Sequence, residues 1–249
     1  MTGSALFSDH VEAAARATLR PLEGAGGWHG VRAERIELVS RGDIVGGVLV
    51  RRAAPVAKKS ETRPALLLLA HDAGSGATGP GLSPVARWIS EGLGAVAIDL
   101  PLHGHRASPK LSERLITSVA TLARGEALDP NGAVLAEEFL RQATTDLTRT
   151  LDAVRELDAF DPKRIGFLGL GLGAWVGASL LAHDPRLCAA VLAHGRSAPT
   201  SLPPFGNATG GLAAGAVAGS TDVLMLDLES GQQDWPTLAR PFLASRLGF

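Results

Sequence analysis

Groups able to act as acids, bases or anion binders, backbone N–H groups included, stand out in four short stretches of this chain. They are His71-Asp72-Ala73-Gly74-Ser75-Gly76, Asp99-Leu100-Pro101-Leu102-His103-Gly104-His105-Arg106, Gly169-Leu170-Gly171-Leu172-Gly173 and His194-Gly195-Arg196. Imidazoles with carboxylates beside them move protons near neutral pH. Glycine-rich turns that open a helix present backbone N–H groups to negatively charged atoms. The spacing His103-x-His105 is compatible with metal ligation, but such pairs are common by chance and no metal is expected. Ser75 and Ser197 are the serines near these stretches; neither has a base beside it in sequence, and capping of backbone groups accounts for both.

Each stretch follows an aliphatic run. Ala65 to Ala70 is continuously apolar and bounded by a Gly-rich loop, as expected for a strand buried on both faces of a parallel sheet. Further strands are expected at Ala95 to Asp99, Arg164 to Leu168, Cys188 to Ala193 and Val223 to Glu229. Helices are expected at Leu82 to Leu93, Val134 to Leu157, Leu172 to His183 and Leu238 to Leu247. Before them, Ala33 to Ser40 and Ile44 to Val50 flank Arg41-Gly42-Asp43 as a hairpin. Strands alternating with helices imply a single α/β domain over 1–249: a mostly parallel, doubly wound sheet with an N-terminal antiparallel hairpin. Residues 1–32 read as an N-terminal helix (9 to 19) and a Gly-rich connection, and 106–131 as a small lid. The segment Arg196 to Ser220 receives no assignment.

Composition narrows the function. The 249 residues carry 24 basic and 25 acidic side chains, and only 4% are aromatic, with no tyrosine. Balanced charge and few stacking platforms exclude a nucleic-acid partner. The single cysteine, Cys188, forms no internal disulfide, and a cytoplasmic location is expected. Ile165 to Ala182 is uncharged over a membrane-spanning length, yet its five glycines suit a strand, turn and packed helix instead, so no membrane role is expected.

The strand ending in His71 with its small-residue loop, the Asp99-Leu-Pro-Leu-His-Gly stretch, and Asp161-Pro162-Lys163-Arg164-Ile165-Gly166 leading into a strand, turn and helix occur together in this order. In these features residues 33 to 195 resemble the α/β-hydrolase family, particularly its esterase and dienelactone-hydrolase-like branches. The resemblance implies a Gly-x-Ser-x-Gly nucleophile elbow, here Gly169-Leu170-Gly171-Leu172-Gly173, so that glycine stands at the nucleophile position. It also implies a histidine base late in the chain, and none follows His194. Two alignments of the tail remain. In one, Val223 to Glu229 is the last strand, Gln233 stands where the histidine would be, and Asp222 lies near the acid position. In the other, that strand is the penultimate one and Asp234 is the acid. The first is preferred because a closing helix follows. An oxyanion hole is implied at the amides of Leu172 and of Asp72 or Ala73, with His71 and His103 as motif residues hydrogen-bonded to loop backbone.

The expectation is a non-hydrolytic α/β-hydrolase-like protein that binds a small acyl or ester-like ligand or serves as a structural partner, as a homo- or hetero-oligomer, without a cofactor. One alternative is an active esterase, lactone hydrolase or lyase using the displaced residues His71, His103 and Ser75. Another is an NADP-binding reductase, since Gly169-x-Gly171-x-x-Ala174 fits a phosphate-binding fingerprint and Arg196 follows the next strand.

Overall fold

The computed structural model describes residues 16–22, 30–53, 63–194, 221–227 and 234–249. Eight strands form one sheet: β1 (Ala17–Pro21), β2 (Val31–Ser40), β3 (Asp43–Arg52), β4 (Ala65–Ala70), β5 (Leu93–Ile98), β6 (Ile165–Leu170), β7 (Ala189–His194) and β8 (Asp222–Asp227). Their spatial order is β1-β2-β3-β5-β4-β6-β7-β8. The first three strands are antiparallel, and β3 meets β5 antiparallel. From β5 to β8 every neighbour is parallel.

The β2–β3 hairpin is closed by Arg41 and Gly42, both at positive φ (53° and 84°), the geometry that follows the twist of the flanking strands. Along β4 the leucines alternate between two cores. Leu66 and Leu68 pack on one face of the sheet with α2 (Pro109–Ala123), α3 (Pro130–Glu156) and α4 (Leu172–His183). Leu67 and Leu69 pack on the other with α1 (Leu82–Ala86) and α5 (Trp235–Leu247). A strand walled by apolar residues on both sides reads as the unbroken aliphatic run seen in the sequence.

Three expectations about the bounds and types of elements are corrected. Ala17–Pro21 is a strand rather than the end of a helix, because it finds β2 as an antiparallel partner; residues 9–15 lie outside the described residues. The helix expected over Leu82 to Leu93 stops at Ala86 and continues only as a short 3-10 turn, Ile89–Glu91, before Gly92 (φ 107°) turns the chain into β5. Within the expected lid, Pro109–Ala123 is an amphipathic helix that buries Leu115 and Val119 in the core. The long helix begins at Pro130 rather than Val134, because Asp129 caps it by accepting from the N–H groups of Asn131 and Gly132. No helix among the described residues is long and apolar enough to cross a membrane.

Candidate active site

Parallel strands bring their carboxyl ends to one edge, and this edge collects His71, Asp99, Gly171 and His194 from four successive loops. At its centre the chain passes from β6 into α4 through one residue. Gly171 adopts φ 52° and ψ −112°, a conformation that a side chain tolerates only with strain. Its N–H donates to the Ala193 carbonyl at 2.8 Å and ties the turn to β7. Close approach of α4 to β4 needs Gly173 as well, where a Cβ would stand 2.1 Å from the Ala70 carbonyl oxygen.

The space at the apex of this turn is already taken. A Cβ on Gly171 would fall 1.9 Å from Oδ1 of Asp72. That oxygen accepts from the Leu172 N–H at 2.9 Å and from the Ala73 N–H at 2.7 Å. The amides that the resemblance implies for an oxyanion hole do converge on one point, those of Leu172 and of Ala73 rather than Asp72. Both amides hold the protein's own carboxylate. Sequence reasoning placed Asp72 in the hole only through its backbone and missed its side chain. An acidic residue immediately before one of the two donating amides was the available signal.

The histidines divide by their free nitrogens. His71 is saturated: Nδ1 donates to the Asp72 carbonyl at 2.9 Å, and Nε2 accepts from the Leu100 N–H at 3.2 Å. Burial, opposed by the bond to the Asp72 carbonyl, lowers its pKa to about 4, so it is neutral near pH 7. His103 donates from Nδ1 to the Pro101 carbonyl at 2.8 Å, which leaves a lone pair on Nε2. That atom is buried and has no hydrogen-bond partner among the described residues. Burial lowers the His103 pKa as well, against the Pro101 hydrogen bond and the charges of Asp72 and Asp99. Its ring lies 5.4 Å from that of His71 and 5.9 Å from Phe139, which stacks on Trp175.

Other candidates are dispersed. Asp99 is structural: it accepts from the Ala77 N–H and from the N–H and Nδ1 of His105, pinning two loops together. Ser75 makes no hydrogen bond to a histidine among the described residues, and it lines a separate cleft of about 690 Å³ with Gly46, Asp99 and His105 that neither Asp72 nor Leu172 borders. His194 pairs in register with Asp227, and both of its ring nitrogens are buried without a partner among the described residues. Asp222 begins β8, at the end of that strand opposite Asp227, where its carboxylate accepts from Arg246. Asp234 caps α5 without a side-chain hydrogen bond. Gln233, Arg196 and Ser197 lie outside the described residues. Among the described residues no three His, Cys, Asp or Glu side chains are grouped to hold a metal.

No family model matches the sequence, and no curated protein does. Solved structures do match. A cold-adapted esterase from an Arctic intertidal metagenomic library aligns over 92% of this chain and 99% of its own, with a TM-score of 0.60 at 19% identity. The acetyl xylan esterase of Paenibacillus sp. R4 aligns over 93% and 89%, with a TM-score of 0.61 at 15% identity. A Klebsiella pneumoniae protein provisionally named a dienelactone hydrolase aligns over 88% and 98%, with a TM-score of 0.56 at 12% identity. The mostly parallel eight-stranded sheet with helices on both faces is the α/β-hydrolase fold. At these identities the likeness is one of architecture, and the activities named belong to those proteins.

Proposed function

We propose that this chain is a non-hydrolytic protein on the α/β-hydrolase fold, which binds a small acyl-type ligand rather than turning it over by Ser-His-acid chemistry. One observation carries the reading: Oδ1 of Asp72 occupies both oxyanion-hole amides and the space a nucleophile would need at Gly171. Ester hydrolysis on this fold requires a hydroxyl at the turn apex, a base to take its proton, and empty donors to hold the charge that develops on the carbonyl oxygen. Here the apex carries hydrogen, and the donors are neutralised by a carboxylate. A second negative charge arriving beside Asp72 would be repelled rather than stabilised.

The displaced-residue alternative finds support in His103, whose free Nε2 has the form of a general base. It lacks a nucleophile, since Ser75 lines a different cleft. A reductase fares worse, because a pyrophosphate at the N-terminus of α4 would confront the Asp72 carboxylate. Purified protein is expected to resist stoichiometric labelling by a serine-directed fluorophosphonate and to give no turnover in a screen of esters, thioesters and lactones. Robust labelling or turnover overturns the proposal.

A further inference from the structure

We infer that the paired amides of Leu172 and Ala73 form a carboxylate-binding site whose resident ligand is the side chain of Asp72, and that the ligand class the site selects is a small carboxylate rather than an ester. This rests on the non-hydrolytic reading above and adds to it the chemistry of the ligand.

Two N–H groups, 99 positions apart in the chain (172 − 73), converge on one oxygen at 2.9 and 2.7 Å. Two donors on a single oxygen are best matched by a full negative charge, since charge-assisted hydrogen bonds are the stronger ones. Leu172 also opens a twelve-residue helix with no acidic residue of its own in the first turn, so the helix dipole favours an anion there. No cationic side chain is hydrogen-bonded to the Asp72 carboxylate among the described residues; backbone dipoles hold it. A ligand that replaces Asp72 must therefore bring its own charge. It must also be small, because the apex offers only the room that the Gly171 hydrogen leaves.

His103 supplies a second, independent sign of a ligand. The residue is 2% exposed, yet Nε2 has no hydrogen-bond partner among the described residues, and the Asp72 and Asp99 carboxylates act on its charge. A buried acceptor left unpaired is costly, and a hydroxyl or water carried by the ligand would pair it. An ester carbonyl, bearing only partial charge, is a poorer match for two amide donors than a carboxylate, so with Asp72 tethered in cis at high effective concentration it competes less well than a free carboxylate, and either gains once Asp72 is removed.

The test compares wild type, Asp72→Ala and Asp72→Asn in the full-length protein. Thermal unfolding is followed during titration with sodium acetate, with acetamide as the uncharged counterpart, at constant ionic strength set by chloride. Asp72→Ala is expected to gain a saturable acetate-dependent rise in Tm, with an apparent Kd at least about tenfold below that of wild type. Acetamide is expected to have a smaller effect. Asp72→Asn keeps an oxygen on the two amides and is expected to stay unresponsive. In Asp72→Ala/Gly171→Ala the new methyl fills the vacated space, and the acetate response is expected to disappear. If Asp72→Ala does not fold, Asp72→Ser takes its place with the same expectation. An acetate response no greater than that of wild type, or an equal response to acetamide, overturns the carboxylate assignment and leaves the non-hydrolytic reading standing. Fluorophosphonate labelling of wild type overturns that reading instead.

Discussion

Asp72 does two jobs with one oxygen, and both follow from its place directly after a buried strand. Its backbone carbonyl accepts from His71 and Ser75, which fixes the loop, and its side chain accepts from the Ala73 N–H of that loop and from the Leu172 N–H that opens α4. Gly171 is the complementary half, since any larger residue there meets Oδ1 of Asp72. Gly171→Ser is therefore expected to leave the protein without ester hydrolysis and to lower its stability by about 2 kcal/mol, the middle of the cost of a strained non-glycine backbone. Urea unfolding and a p-nitrophenyl ester assay check the two halves. Strong hydrolysis in that single variant would mean that Asp72 yields and that a base stands nearby.

At the level of elements, the loop after β5 is anchored to α3 through charge. Arg106 donates from Nη1 to Oδ2 of Asp146 at 2.7 Å and to the Asp99 carbonyl at 3.1 Å. The Asp146 side chain is 3% exposed and that of Arg106 15%. Removing one partner leaves the other charge buried and uncompensated. Asp146→Ala is thus expected to cost about 3 to 5 kcal/mol in chemical denaturation, and the double variant Arg106→Met/Asp146→Leu much less. Equal losses in the two variants would show that the pair contributes packing rather than charge.

How far these elements could be read beforehand depended on where their partners lie. The strands β4 to β7 announce themselves as aliphatic runs because both of their faces are buried, a property of the segment itself. Ala17–Pro21 carries no such mark, since an edge strand with one half-buried face becomes a strand only when β2 pairs with it. The glycine at the elbow and the loop histidines were legible as types in order. The Asp72 side chain on the Leu172 amide was not, because a contact spanning 100 positions leaves no local pattern.

For the molecule as a whole, the buried imidazoles make stability depend on pH with a definite sign. His71 is held neutral in the folded state with a pKa of about 4, against 6.5 when unfolded. Between these values the unfolded chain binds the extra proton, so stability is full above about pH 6.5 and falls as pH drops toward 4. His103 and His194, also lowered by burial, act in the same direction. For His71 alone the loss is on the order of 3 kcal/mol at pH 4. Guanidinium unfolding at pH 7.5 and pH 4.5 measures it. His71→Gln, which keeps a side-chain acceptor for the Leu100 N–H, is expected to flatten the dependence, and an unchanged slope in that variant would remove His71 as its cause.

The Asp72 carboxylate also orders the routes by which a nucleophile could be built into this turn. A serine arriving first at position 171 collides with the oxygen already seated there, whereas loss of the acid at position 72 merely empties a cradle. Covalent chemistry at this turn must therefore begin with a change at position 72, and the order of the two substitutions works like a ratchet that turns easily in one direction only.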